Sequence, residues 1–208
     1  MIIGLDFDNT IVCYAKAIKI LAEKKFELPP EVARTKLGVR DFLRSTGREK
    51  EWTAFQGELY GPGMCFAQPF DGAISTMQEL EAEGHNLVIV SHRSRLPYAG
   101  EPHDLHAAAL EWVAQHLLTE GLFTNKSLDS SNSDCVHFLE TKDRKLAKIA
   151  EVHCDLFLDD LPEIILSPKF PASTIGILFD SANIANDNMG KLRISSWDQL
   201  PTQLSKAP

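Results

Sequence analysis

The sequence of 208 residues lacks the patterns that identify several large classes of protein. It contains no apolar run close to the roughly 20 residues that a membrane-spanning helix needs, so we expect no membrane segment. It has no Lys/Arg-rich stretch, and its net charge of −8 disfavours binding to nucleic acid, which calls for a basic surface. Neither G-x-x-x-x-G-K-S/T nor G-x-G-x-x-G occurs, so neither a P-loop NTPase nor a dinucleotide-dependent dehydrogenase is supported.

Cysteine pairs and signal-like segments are also missing. The four cysteines are widely spread and form no C-x-x-C pair, which favours reduced thiols, with disulfides or a zinc site as the alternatives. The apolar start of the chain carries Asp6 and Asp8 where a secretory signal would stay uncharged. We therefore expect a cytoplasmic protein.

The order of strand and helix patterns indicates an α/β fold. Apolar, β-branched runs predict six strands, the last being the weakest: Ile2–Phe7, Asn86–Ser91, Val136–Leu139, Asp155–Leu158, Thr174–Phe179 and Leu192–Ser195. Helical periodicity between them predicts helices over Asp71–Glu83, Leu105–Glu120 and Lys142–Val152. Because most of the strands are continuously apolar, we expect a doubly wound, Rossmann-like parallel sheet with helices on both faces.

Residues 13–69 interrupt this alternation. They contain no convincing strand, and their patterns predict three helical pieces: Tyr14–Lys24, Pro30–Leu37 and Gly47–Tyr60. Such an insertion is too long for an ordinary loop after the first strand. We therefore predict an α/β core (residues 1–12 and 70–208) and a small α-helical cap subdomain (residues 13–69) inserted after strand 1.

Two carboxylates end the first predicted strand, in the stretch Asp-Phe-Asp-Asn-Thr that begins at Asp6. Residues two apart on an extended chain project to the same side, so Asp6 and Asp8 can converge. They lie at the carboxyl end of the strand, where open α/β sheets bind their ligands. Acids often end strands merely as turn residues, but that reading explains one Asp better than two.

A second acidic pair, Asp159 and Asp160, ends the predicted strand Asp155–Leu158. Two such pairs brought together at the ends of buried strands would repel each other strongly. A hard divalent cation would relieve that repulsion, and Mg²⁺ favours a few carboxylates together with water and phosphate oxygens. We therefore expect Asp6, Asp8, Asp159 and Asp160 to surround one Mg²⁺ ion.

Four segments together resemble the motifs of the haloacid dehalogenase-like (HAD) hydrolase superfamily, whose members are mostly phosphatases. Residues 6–10 are similar to its first motif, D-x-D-x-T, and Ser91 follows an apolar run as the second-motif Ser/Thr does. Lys142 begins the pattern K-x-x-x-L-x-x-I, which resembles the third-motif lysine segment, and Asp159–Asp160 resemble the acidic fourth motif. The helical insertion matches the small cap that the superfamily places after its first motif.

The resemblance implies catalytic roles. Asp6 would be the nucleophile that forms an aspartyl-phosphate, and Asp8 the general acid and base. Ser91 would bind the transferring phosphoryl group, and Lys142 would neutralise that group and Asp6. Lys145, on the same predicted helix, is the alternative active-site lysine.

The resemblance also implies the metal ligands. Asp6, Asp160 and the backbone carbonyl of Asp8 would hold Mg²⁺, and Asp159 would either bind the ion or hold a water bound to it.

Four polar residues beside these motifs are expected to contact the substrate. Asn9 and Thr10 belong to the first motif, while His92 and Arg93 directly follow Ser91. The alternative reading of His92 and Arg93 is that of ordinary surface residues in a loop.

The function expected from the resemblance is Mg²⁺-dependent hydrolysis of a small phosphomonoester. An acid at position 8 suits a C–O–P substrate, because the leaving alkoxide needs a proton. A phosphotransferase or phosphomutase that uses the same intermediate is one alternative, and a catalytically idle accessory protein is another. We expect a small phosphorylated metabolite as partner, and no nucleic acid.

Overall fold

The computed structural model describes residues 1–124, 134–183 and 192–204. The chain divides into two compact units. The core unit comprises Met1–Val12, Pro69–Arg93 and His116–Pro208, and the helical unit comprises Cys13–Gln68 and Ser94–Gln115. This division differs from the predicted one at residues 94–115, which join the inserted segment because their helix packs against a helix of that segment.

The helices and strands have the following bounds. The strands of the main sheet are β1 (Ile2–Leu5), β2 (Asn86–His92), β3 (Val136–Leu139), β4 (Leu156–Asp159), β5 (Ile175–Phe179) and β6 (Leu192–Ile194). The α-helices of the described residues are α1 (Ala15–Lys25), α2 (Lys36–Ser45), α3 (Glu49–Tyr60), α4 (Ala73–Ala82), α5 (Leu105–Val113), α6 (Lys142–Glu151), α7 (Pro162–Ile165) and α8 (Leu200–Leu204). A π-helical turn continues α5 over Ala114–Leu118, two 3₁₀ helices cover Pro62–Phe66 and Trp197–Gln199, and the short strands Val12–Cys13 and Gln68–Pro69 form a two-stranded sheet.

The six-stranded sheet of the core unit confirms the predicted α/β fold. Its strand order is β3-β2-β1-β4-β5-β6, and every neighbouring pair is parallel. This is the doubly wound order, in which the direction of strand addition reverses between β1 and β4. That reversal point is where such sheets bind their ligands.

The register brings the ends of the three central strands level with each other. Leu5, the last residue of β1, lies opposite Ile89 of β2 on one side and Leu158 of β4 on the other. Side chains that follow these three positions therefore meet at one edge of the sheet. This edge carries the predicted acids.

The central strands are apolar on both faces because both faces are covered. Ile3 and Leu5 of β1 are fully buried, and α6 packs over β2 and β3. Close packing explains the glycine in β1, since a Cβ at Gly4 would lie 2.4 Å from Cδ2 of Phe157 on β4. A side chain at this position would separate the two strands that carry the acidic pairs.

The helical unit is held together largely by aromatic contacts. Tyr14 and Tyr60 meet edge to face with ring centroids 5.1 Å apart, and Phe26 packs against Phe55 at 5.4 Å. The indole Nε1 of Trp112 donates a hydrogen bond of 3.1 Å to the backbone carbonyl of Ala67. These contacts join the ends of α1 to α3, and α5 to the residue that follows the 3₁₀ helix Pro62–Phe66. No helix within the described ranges is long and apolar enough to cross a membrane.

The predicted helix over Pro30–Leu37 is wrong. The guanidinium of Arg34 donates hydrogen bonds to the carbonyls of Leu28, Pro29 and Val32, which folds this stretch into turns. Helix α2 begins only after Thr35, whose hydroxyl caps it by accepting a hydrogen bond of 3.1 Å from the Gly38 amide.

Candidate active site

The first acidic pair lies in a closed turn directly after β1. The Asp6 amide continues the hydrogen bonding between β1 and β4, because it donates a hydrogen bond of 2.8 Å to the carbonyl of Leu158. The amides of Ile11 and Val12 both donate to the carbonyl of Phe7, at 3.1 and 2.9 Å. Asn9 has a φ of 59°, a left-handed conformation that Asn tolerates better than most residues. The turn therefore fixes the backbone that carries both carboxylates.

Three side chains hold the carboxylate of Asp6, which is only 3% exposed. The Ser91 hydroxyl donates a hydrogen bond of 2.8 Å to Oδ1, and the Thr10 hydroxyl donates one of 3.3 Å to Oδ2. The ammonium of Lys145 also donates to Oδ1, at 2.5 Å. The structure thus brings Ser91 to Asp6, and its predicted contact with a phosphoryl group stays a prediction.

The lysine of the site is Lys145 and not Lys142, the residue first predicted. Lys145 is fully buried, and its Nζ lies 2.6 Å from Oδ2 of Asp159 as well as 2.5 Å from Asp6. The side chain of Lys142 is 44% exposed and pairs with Glu163 at 2.6 Å. Lys142 is the first residue of α6, and Lys145 is the residue of this helix that reaches the ends of β1 and β4.

The charge of Lys145 is stabilised by the two carboxylates beside it. Burial alone would lower its pKa, but Asp159 and Asp6 outweigh burial and keep that pKa above its ordinary value. Burial raises the pKa of Asp159 to about 7, although the lysine opposes the shift. The Oδ1 atom of Asp159 accepts a hydrogen bond of 2.9 Å from the Leu161 amide, while Oδ2 forms the ion pair with Lys145.

Asp6, Asp159 and Asp160 form a cluster that can hold a metal ion. One carboxylate oxygen from each lies within 4.8 Å of the others. Hard oxygen donors in this number suit Mg²⁺, which completes its shell with water and phosphate oxygens. The four acids, with Asp8 included, outnumber the two cations beside them, Lys145 and Arg93. A bound cation would offset part of that excess of carboxyl groups.

Arg93 is turned toward Asp8, and its predicted contact with a substrate stays a prediction. Its Nη1 donates 2.6 Å to Oδ1 of Asp8. The Arg93 side chain is 3% exposed and that of Asp8 is 19% exposed. Asp8 is thus paired with a buried cation, yet part of its surface is accessible.

The other predicted contact residues have different environments. Thr10 is fully buried and its hydroxyl donates to Asp6, while its carbonyl accepts a hydrogen bond of 3.0 Å from the indole of Trp197; its predicted contact with a substrate stays a prediction. His92 lies partly buried with Nε2 3.2 Å from the Glu140 carbonyl, and burial lowers its pKa although that carbonyl opposes the shift. Substrate contact by Asn9 or His92 stays a prediction. The contribution of Trp197 was missed, because no sequence pattern links it to residue 10.

Comparisons with known proteins agree with this geometry at the level of the fold. Neither a protein-family model nor a curated protein matches the sequence. Three solved structures are similar over nearly the whole of both chains. A predicted phosphoglycolate phosphatase from Haemophilus somnus 129PT has 14% identity and a TM-score of 0.59, over 98% of this chain and 97% of that one. A HAD family hydrolase from Deinococcus radiodurans R1 with bound phosphate and sodium has 14% identity and a TM-score of 0.55 (99% and 95% covered), and the HAD-hydrolase YfnB from Bacillus subtilis bound to magnesium has 13% identity and a TM-score of 0.59 (98% and 97% covered). The chain therefore has the fold of HAD-superfamily hydrolases, as its motifs predict.

Proposed function

We propose that the protein is a phosphoric monoester hydrolase that acts through an aspartyl-phosphate formed on Asp6. The observation that carries the proposal is the setting of this one carboxylate. It is buried at the reversal point of the sheet, and Ser91, Thr10 and Lys145 fix its two oxygens. A nucleophile held in this way needs little reorganisation when it attacks. The fold, shared with solved phosphatases, supports the same reaction class.

In the first step, a carboxylate oxygen of Asp6 attacks the phosphorus atom of the ester. The new O–P bond forms as the bond to the leaving oxygen breaks, and Asp8 gives its proton to that oxygen. Ser91 turns its single hydroxyl proton, which lies on Oδ1 of Asp6 in the structure, to the phosphoryl group. Lys145 offsets the charge that develops on this group and on Asp6.

In the second step, water attacks the aspartyl-phosphate. Asp8 accepts a proton from the water as the new P–O bond forms and the bond to Asp6 breaks. The Asp6 carboxylate is regenerated, and the products are an alcohol and inorganic phosphate. Asp8 ends the cycle protonated, ready for the next substrate.

The residues that would hold Mg²⁺ are Asp6, Asp159 and Asp160, together with the backbone carbonyl of Asp8. When bound, the ion supplies positive charge that lets a carboxylate approach an anionic phosphate. The proposal of Mg²⁺ rests on the three clustered carboxyl groups, which each place one oxygen atom within 4.8 Å of the others. The magnesium named with one similar structure supports it.

We propose a small phosphomonoester as the substrate class. The net charge of −8 disfavours nucleic-acid partners, which are polyanions. One structure of the same fold is named as a predicted phosphatase of phosphoglycolate, which is a small phosphomonoester. The sequence prediction of a cap over residues 13–69 agrees with a substrate of this size.

The test is release of inorganic phosphate from a panel of phosphorylated metabolites in the presence of Mg²⁺. Asp6→Asn is the control, since it removes the nucleophile but keeps the volume of the side chain. We expect turnover of at least one metabolite by the wild type and none by the variant. Phosphate that appeared on an acceptor other than water would favour a phosphotransferase. Turnover that survived Asp6→Asn would exclude the covalent mechanism.

A further inference from the structure

Arg93 has an environment unusual for a residue in a loop next to an active site. Its amide donates 2.8 Å to the carbonyl of Leu139, which extends the ladder between β2 and β3 by one residue. Its side chain is almost fully buried, and the guanidinium lies over the ring of Phe7 at 5.9 Å from the centroid. The backbone and the side chain are therefore both fixed.

The contact between Arg93 and Asp8 follows from the register of β1 and β2. Ser91 reaches Asp6 and Arg93 reaches Asp8, and both pairs are separated by 85 residues along the chain. Residues two apart on adjacent extended segments project to the same side, so the second contact repeats the first. The Arg93–Asp8 pair belongs to the same structural unit as the Ser91–Asp6 pair.

The contact also restricts Asp8 strongly. The guanidinium can donate to a carboxyl oxygen of Asp8 whether that group is ionised or protonated, because a protonated carboxyl group keeps acceptor capacity. The Nη1–Oδ1 distance of 2.6 Å is that of a charge-assisted hydrogen bond. Asp8 in turn is 19% exposed, so a ligand can still reach it. A side chain anchored on one side and accessible on the other suits a group that must transfer a proton at one place.

We propose that Arg93 is a positioning residue for phosphoryl transfer: it fixes the carboxyl group of Asp8 where that group can serve the leaving oxygen. This inference rests on the proposed phosphatase function. Arg93 acts through Asp8 and does not take part in the chemistry itself. Loss of Arg93 should therefore slow hydrolysis most for substrates whose leaving group needs a proton.

The experiment compares kcat/KM for 4-nitrophenyl phosphate with kcat/KM for alkyl phosphates that the enzyme accepts. The nitrophenolate leaves without protonation, whereas an alkoxide requires it. The value of kcat/KM depends only on the steps up to formation of the aspartyl-phosphate. It is therefore unaffected by the second step, in which Asp8 acts as a base. The variants are Arg93→Met, Asp8→Asn and the double variant. The matched control is Arg95→Met, which removes an exposed arginine paired with Asp104 at 3.1 Å.

We expect Asp8→Asn to lower the alkyl rate by about 10²–10⁴-fold, the usual contribution of a general acid. Arg93→Met should lower it by about 10²-fold, the scale of a misplacement of about 1 Å, and should change the aryl rate less than about threefold. The double variant should be no worse than Asp8→Asn alone, because both changes remove one function. Arg93→Lys should recover part of the alkyl rate, and Arg95→Met should behave as the wild type.

Equal losses on aryl and alkyl substrates in Arg93→Met would overturn the inference, as would multiplying effects in the double variant. If Arg93→Met does not fold, Arg93→Lys takes its place: a loss confined to alkyl substrates supports the inference and an equal loss contradicts it. Failure of the proposed function gives a separate result. In that case the wild type hydrolyses neither ester, or Asp6→Asn remains active.

Discussion

Replacing Lys145 by methionine should destabilise the protein far more than the same change at Lys142. Lys145→Met removes a buried ammonium that lies 2.5 Å from Asp6 and 2.6 Å from Asp159, and it leaves both carboxylates buried without that cation. Removing one partner of a buried ion pair typically costs about 3–5 kcal/mol. Lys142→Met removes a pair whose side chains are 44% and 56% exposed, and such pairs contribute about 0–1 kcal/mol. Because both lysines lie on α6, most of the difference between the two stability losses should come from the burial of Lys145.

The cost of Lys145→Met should grow as the pH rises. Asp159 has a pKa of about 7 in the folded protein, against roughly 3.9 in an unfolded chain. A carboxyl group with a raised pKa destabilises the fold progressively as the pH rises between these two values, because it must ionise while buried. Lys145 holds this pKa down, so its loss raises the pKa further and extends the penalty to higher pH. At pH 5.5 Asp159 is largely protonated in both the wild type and Lys145→Met. The difference in their free energies of unfolding is therefore smaller than at higher pH.

The assay is urea unfolding of both variants in chelating buffer at pH 5.5 and pH 8, followed by circular dichroism. Phosphate release with Mg²⁺ is measured in parallel. We expect Lys145→Met to lose about 3–5 kcal/mol at pH 8 and all turnover, while Lys142→Met retains both stability and turnover. Equal stability losses for the two variants, or inactivity of Lys142→Met alone, would refute the assignment of Lys145.

Three further predictions concern the metal, the pH response and the support of the active-site turn. Chelation should abolish turnover and Mg²⁺ should restore it, whereas Ca²⁺ should inhibit because it takes more ligands at longer distances. Turnover that survived exhaustive chelation would contradict the metal site. In chelating buffer the Tm of the wild type should fall between pH 5.5 and 8 as Asp159 ionises, and Mg²⁺ should raise the Tm more at pH 8 than at pH 5.5; calorimetry measures both. Trp197→Phe should cost about 1–3 kcal/mol, since it leaves the buried carbonyl of Thr10 without its indole donor; urea unfolding checks this, and an unchanged midpoint would show that the bond contributes little.

The sheet could be predicted from the sequence because its strands are buried on both faces. A run such as Asn86–Ser91 has no helical period, and it corresponds closely to β2. The edge strand β6 was the weakest prediction because an edge needs fewer apolar side chains. The helix predicted at Pro30–Leu37 failed because the hydrogen bonds of Arg34 to nearby carbonyls outweigh a short helical pattern. The start of α2 carries its signal at Thr35, a capping residue.

The choice between Lys142 and Lys145 illustrates what periodicity cannot decide. The two lysines and Ile149 lie three and seven residues apart, so all three fall along one stripe of α6. The pattern shows which stripe faces the sheet but not how far the helix extends past the ends of the strands. Thr141 fixes that distance, because it caps the helix and makes Lys142 the first helical residue. Lys142 then pairs with Glu163 at the surface, and Lys145, one turn further along, reaches the acids.

The acids of the site could be predicted, whereas the pairing of each acid with its cation could not, for one physical reason. Each acidic pair follows its own strand as a local pattern, so its position in the sheet is given by the strand that precedes it. Arg93 and Lys145 meet Asp8 and Asp6 across 85 and 139 residues, and those contacts depend on the strand order and on the position of α6. The two cations have different partners: Lys145 contacts Asp6 and Asp159 of the acidic cluster, whereas Arg93 contacts Asp8. The two carboxylates of one motif therefore have different cations beside them, which agrees with the proposed division of roles, nucleophile for Asp6 and general acid for Asp8.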